Sequence, residues 1–216
     1  MRFGWICGAA IWVLTLAASA GAADAAAGGP DPAADRILGV IPNYSTVEPS
    51  DVVAPLTIRE TFKLATLSSF DPFVYPLVGI MSGLHGSSSA AEYRATFGRT
   101  LADNATGNYF TMAALPSLLH EDPRYFALGH GGVFHRTMYA LSRSVVTRTR
   151  SGQLTFNLSE IAGNGLAAGV SNLYYGPADR TVGGTMNRWA AQVLSDTLGN
   201  ELKEFWPDIQ RTLHRR

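Results

Sequence analysis

Cysteine is almost absent from this sequence, and charge is scarce. A single cysteine, Cys7, stands in 216 residues, which excludes an intrachain disulfide framework and a thiolate metal cluster. Only 16% of the residues are charged, 17 Lys plus Arg against 17 Asp plus Glu, which is well under the ~25% of ordinary soluble domains. That balance removes a global basic field for nucleic acid as well as an acidic, disorder-type composition. There is no Gly-x-Ser-x-Gly elbow, no phosphate-binding Gly-Lys-Ser/Thr loop and no Gly-x-Gly-x-x-Gly dinucleotide fingerprint, so the commonest hydrolase, nucleotide and redox classes are set aside. Runs of alternating polarity joined by hairpin turns are missing too, which leaves no strand-rich fold.

What is present starts with an export pattern. Arg2 is followed by the uncharged, mostly apolar stretch Trp5 to Ala18 and then by the small-x-small triplets Ala18-Ser19-Ala20 and Ala20-Gly21-Ala22. Residues 1–22 read as a cleaved signal peptide whose removal takes Cys7 with it. Residues 23–56, rich in Ala, Gly and Pro, read as a flexible tail, and residues 57–216 as one helical domain. Thr57-Ile58-Arg59-Glu60 has capping-box spacing, and Asp71-Pro72 and Asp122-Pro123 each resemble a helix start. A long helical stretch, Ala90 to Leu119, is expected to kink or divide at Pro116. Phe134, Met138, Leu141 and Val145 mark one apolar face of a helix reaching Arg150. Asn157 to Tyr175 and a last helix from about Thr185, ending or kinking near Pro207, complete the pattern. The fold class is all-α, a single compact bundle of about six helices, several of them Gly/Ala-rich and strongly apolar.

Three constellations could carry chemistry. His120, Glu121 and Asp122 are the densest ionisable cluster, either a solvated turn with a helix cap or a proton-transfer site. No two histidines stand four residues apart, so no metal is expected, and no cofactor either. Between Pro123 and Ser159 stand five arginines, 124, 136, 143, 148 and 150, with no acidic residue. Arg136, Arg143, Arg148 and Arg150 are candidates for anion or headgroup contact, or else partners for acids on the last helix such as Asp196, Glu201 and Glu204. Arg136 and Arg150 are expected outside, and Arg143 inside, engaged with an acid or an amide. Gly165 and Gly169 form a Gly-x-x-x-Gly helix-packing pair. On the same helix Glu160, Asn164 and Ser171 make a polar line, either an internal network or the lining of a ligand cavity.

Asp71-Pro72-Phe73, the segment Leu118 to Phe126, Ser142-Arg143, Thr147-Arg148, Phe156-Asn157, Ser171 to Tyr175 and Glu204-Phe205-Trp206-Pro207-Asp208 together resemble a family of uncharacterised exported bacterial proteins. The resemblance covers residues 55 to 213. It implies export and a bacterial source and assigns no catalytic or binding residue. Two functions follow. One is a non-enzymatic, membrane-associated helical component of the cell envelope, touching anionic lipid or another envelope protein. The other is a periplasmic enzyme or small-ligand binder, with His120, Glu121, Arg143 and Glu160 converging in a cavity between helices.

Overall fold

The structure, a computed structural model, describes residues 36–37, 41–84 and 86–214, so the expected signal peptide and residues 23–35 and 38–40 of the expected tail lie outside the described residues. Helix α1 (Ile58–Phe70) begins at the capping box, where Glu60 N donates to Thr57 Oγ1 at 3.3 Å and Thr57 N donates to Glu60 Oε2 at 2.8 Å. At Asp71-Pro72 the chain turns. Phe73 N donates to Asp71 Oδ1 at 2.9 Å ahead of α2 (Val74–Leu84), and the two helices are bent by 52°. Ser89 caps α3 (Ala90–Asn108), which continues through a π-helical turn, Tyr109–Ala114, into α4 (Leu115–Leu119). Helical backbone runs on through Pro116, which stands in the first turn of α4 just after the π-helical turn, where its missing N–H is tolerated.

The remaining helices are α5 (Val133–Ser142), α6 (Leu158–Ser171) and α7 (Val182–His214), the last running on through Pro207. With α3 to α4 counted as one continuous body, the described residues form a six-helix, all-α arrangement. Small sheets ornament it. The segments β1 (Arg36–Ile37) and β2 (Ile41–Pro42) pair antiparallel, β3 (Thr46–Val47) lies parallel to β5 (Tyr125–Phe126), and β4 (Glu121–Asp122), β6 (Val146–Thr149) and β7 (Leu154–Phe156) form an antiparallel sheet.

These strands correct three expectations. Asp122-Pro123 makes the same local turn as Asp71-Pro72, with Arg124 N donating to Asp122 Oδ1 at 3.1 Å. It opens no helix, because Tyr125 N and Ala127 N bond the carbonyls of Ser45 and Val47, and Gly129 and Gly131 then adopt positive φ. The helix expected to reach Arg150 stops at Ser142, and residues Val146–Thr149 extend between β4 and β7. The end of the expected tail is built into the fold. Asn43, Tyr44, Ser45 and Val47 are buried, Tyr44 OH donates to Leu67 O at 2.9 Å, and Arg36 pairs with Asp71 at 2.6 Å.

Polarity is distributed the opposite way from a soluble bundle. The largest fully buried side chains are Glu204, Asn164, Thr61, Pro116, Ser69, Ser82 and Ser171, whereas large aliphatic residues ordinarily hold those places. The buried apolar residues include many alanines, with Leu64, Val74, Val78, Tyr125 and Trp206 among the few large ones. Long apolar side chains face outward. On α7 Val182, Met186, Leu194, Leu198, Leu202 and Ile209 are exposed, while Arg188, Asp196, Glu201, Lys203, Glu204 and Asp208 are all half-buried or buried. Helix α2 exposes Tyr75, Leu77, Ile80, Met81 and Leu84. The apolar face of Phe134, Met138, Leu141 and Val145 is exposed, and Arg136, expected outside, is buried. Among the described α-helical residues, the exposed Asp, Glu, Lys and Arg are Arg59, Glu92, Arg94 and Arg211, each close to a helix end.

Candidate functional site

A cavity of 160 Å³ opens between the β4–β6–β7 sheet and helices α6 and α7. Its sheet side carries Arg143, Thr147 and Arg148, and its helix side carries Ser159, Glu160, Asp196 and Lys203. Local sequence explains the arrangement. Asn157 caps α6 by accepting from Glu160 N at 3.1 Å, and its Nδ2 donates back to Arg143 O at 2.9 Å. That clamp holds the end of α5 against the start of α6. Ser159 N donates to Glu121 Oε2 at 3.2 Å, which seats a buried carboxylate on the first turn of α6, where the helix dipole favours negative charge.

The polar line of α6 meets α7. Asn164 Nδ2 donates to Glu160 Oε1 at 2.9 Å and to Asp196 Oδ2 at 3.0 Å, and Ser171 Oγ accepts from Arg188 Nε at 2.6 Å. Burial, together with the adjacent Asp196 carboxyl, pushes Glu160 up to about 9. Burial raises Asp196 as well and lowers Lys203, against the pull of both carboxyls. Two carboxyls this close ionise as a pair, and at neutral pH they hold a shared proton that neither would keep in water. The arrangement can store and release a proton beside the cavity, and it presents a neutral carboxyl as a hydrogen-bond donor.

The arginines are placed differently from expectation. Arg136, expected outside, is buried between α5 and α7, its Nε donating to Glu204 Oε1 at 2.7 Å, with further bonds to Asp208 Oδ2 and Glu204 O. A stripe opposite an apolar face lies inside here because the apolar face is the outer one. Arg143 lines the cavity as expected, yet among the described residues its guanidinium bonds neither an acid nor an amide. It stacks over the Tyr139 ring at 4.5 Å, and Nε and Nη2 both donate to Ser142 Oγ. Arg148 stacks over Phe126 at 5.1 Å and among the described residues reaches only Gly152 O, with its Nε buried and unpartnered. Arg150 is half-buried, with Nε and Nη2 unpartnered.

His120 is exposed at the C-terminus of α4 with φ 57° and does not line the cavity. Glu121 and Asp122, by contrast, are buried and do line it. Asp122 is held by Arg124 at 2.6 Å, so the His120 proton-transfer cluster is not assembled. Of the glycine pair, a Cβ placed on Gly165 would meet the Trp189 ring of α7 at 3.8 Å, while nothing stands within 4 Å of one placed on Gly169. The tight crossing is at Gly163, where a Cβ would meet Thr111 Cγ2 at 3.0 Å and the Phe110 carbonyl carbon at 3.2 Å. Sequence reasoning missed Ser159 and Lys203 as site residues. Asp196 and Lys203 stand seven residues apart, on one face of a helix, and that spacing was the available signal. Among the described residues no group of three or more His, Cys, Asp or Glu side chains could hold a metal ion. The chain matches no family model, no curated protein and no solved structure.

Proposed function

We propose that this chain is a non-enzymatic, membrane-associated helical component of the bacterial cell envelope, exported through its N-terminal segment, with its outward apolar faces seated in lipid. The observation that carries this reading is the inverted polarity of α7, whose exposed face between Val182 and Ile209 carries no charge while six ionisable side chains turn inward. An apolar face of that extent left in water is unfavourable by ~25 cal/mol per Å², and it extends over α2 and α5 as well. Among the described residues no single helix is long and apolar enough to cross a membrane, although α1 and α2 together, bent by 52°, meet the length and composition required. The reading is therefore of seating in the membrane interface, with charged helix ends at the headgroups. Arg136 is withdrawn from headgroup contact by its burial, whereas Arg148 and Arg150 are only half-buried.

Fractionation of envelopes tests the reading. The protein is expected in the membrane pellet, resistant to high-salt washing because the contact is apolar, and released by detergent. Recovery as a monomer in the soluble fraction before any wash contradicts it.

The cavity favours a second property of the same chain, binding of a small ligand.

A further inference from the structure

We infer that the cavity between the β4–β6–β7 sheet and helices α6 and α7 binds a phosphate group, held by Arg143 and Arg148 and completed by the Ser159 hydroxyl. The first support is an excess of unused donors. Each guanidinium offers five N–H groups, yet neither has a carboxylate partner among the described residues. Arg143 spends two nitrogens on one neutral hydroxyl, and Arg148 leaves Nε buried without an acceptor. The second support is Ser159, 3% exposed and lining the cavity, whose Oγ has no hydrogen-bond partner. A buried unpaired hydroxyl is unfavourable, and an oxyanion in the cavity would satisfy it together with the arginines. Three neighbouring donors are engaged elsewhere: Ser159 N by Glu121, Arg124 by Asp122, and Asn157 Nδ2 by Arg143 O.

Shape and charge fit the same ligand. A 160 Å³ space compares with the ~150 Å³ cavity that takes one benzene molecule, so it accommodates a phosphate and little more. Both guanidiniums are stacked on aromatic rings, Arg143 on Tyr139 and Arg148 on Phe126. They are thereby held in place for paired N–H···O contacts, the geometry in which arginine recognises phosphate. The acids nearby are neutralised: Asp122 by Arg124, Glu121 by the first turn of α6, and the Glu160–Asp196 pair by its shared proton and Lys203. The phosphate can be a free ion or the headgroup of an anionic lipid. The inference does not depend on the lipid seating proposed above, since binding in solution tests it alone.

The test is calorimetric titration of the exported chain in mild detergent with inorganic phosphate. Saturable binding is expected, weakened at least about tenfold by Arg143→Gln and by Arg148→Gln, the loss of one charge-assisted contact each. Helix content is expected to be unchanged. Ser159→Ala removes a hydroxyl without a partner in the fold and should weaken binding a few-fold while leaving thermal stability intact, which guards against misfolding of the arginine variants. Competition of the phosphate heat by phosphatidic acid vesicles, and not by phosphatidylcholine vesicles, assigns the headgroup as the source; its absence assigns the free ion. No saturable binding to the parent chain, or equal affinity in all three variants, overturns the inference.

Discussion

Arg136 Nε donates to Glu204 Oε1 at 2.7 Å across the contact of α5 with α7, and Glu204 has 0% exposure. The carboxylate also accepts from Tyr125 OH at 2.8 Å and from the backbone N–H groups of Leu128 and Gly129 at 2.8 and 2.9 Å. Burial opposes its ionisation, but these bonds, led by Arg136, hold its pKa below the ordinary range. Arg136→Met should cost about 3 to 5 kcal/mol, because it strands a buried charge. Adding Glu204→Leu should recover part of that loss and no more, since Tyr125 OH and the two N–H groups then lack an acceptor. Denaturant titration of the single and double variants measures both. The pair's contribution is present above the ordinary Glu pKa and is lost as pH falls through the depressed folded value.

Glu160 carries the opposite sign. Its folded pKa is raised to about 9 by burial and by Asp196, so the folded chain keeps a proton that the unfolded chain has released. Its contribution is complete below the unfolded Glu value and is lost as pH rises through about 9. Lys203, lowered by burial, works against this trend at the alkaline end. Glu160→Gln imitates the protonated acid, offering its oxygen to Asn164 and its amide to Asp196. The variant should show a flatter stability profile from pH 5 to 9 and exceed the parent at the alkaline end. A parent-like slope in urea midpoints across that range would contradict the shift.

At the crossing of α6 with the π-helical turn, Gly163→Val should destabilise by about 1 to 3 kcal/mol, since the added atoms meet backbone. Gly169→Ala, at an open and exposed position, should be neutral or stabilise by up to ~1 kcal/mol through helix propensity. Thermal melts of the two variants separate the glycine that packs from the one that does not.

Helix positions were legible because capping chemistry is local. Thr57 with Glu60, Ser89 with Glu92 and Asn157 with Glu160 all bond as hydroxyl or amide caps. The strands were not legible, since Thr46–Val47 and Tyr125–Phe126 are joined by backbone bonds that need no side-chain pattern. The sense of amphipathicity was the largest loss. Periodicity finds an apolar stripe through Phe134 and Met138 but carries no sign for which stripe faces inward. In a chain whose interior is Glu204, Asn164 and Ser171, the usual sign is reversed. The candidate site was half legible: Glu160, Arg143 and Arg148 stood out, while Ser159 looked like an ordinary first-turn serine.

The outward apolar face is tested most directly on α7 itself. A nitroxide placed at Leu198→Cys, in the chain freed of Cys7, reports whether that face meets lipid. In vesicles the label should relax more with oxygen than with a polar nickel complex, and a label at Arg94→Cys, near a charged helix end, should show the reverse. Equal access of the polar complex to both positions, with the protein bound to the vesicles, would contradict the lipid-facing account.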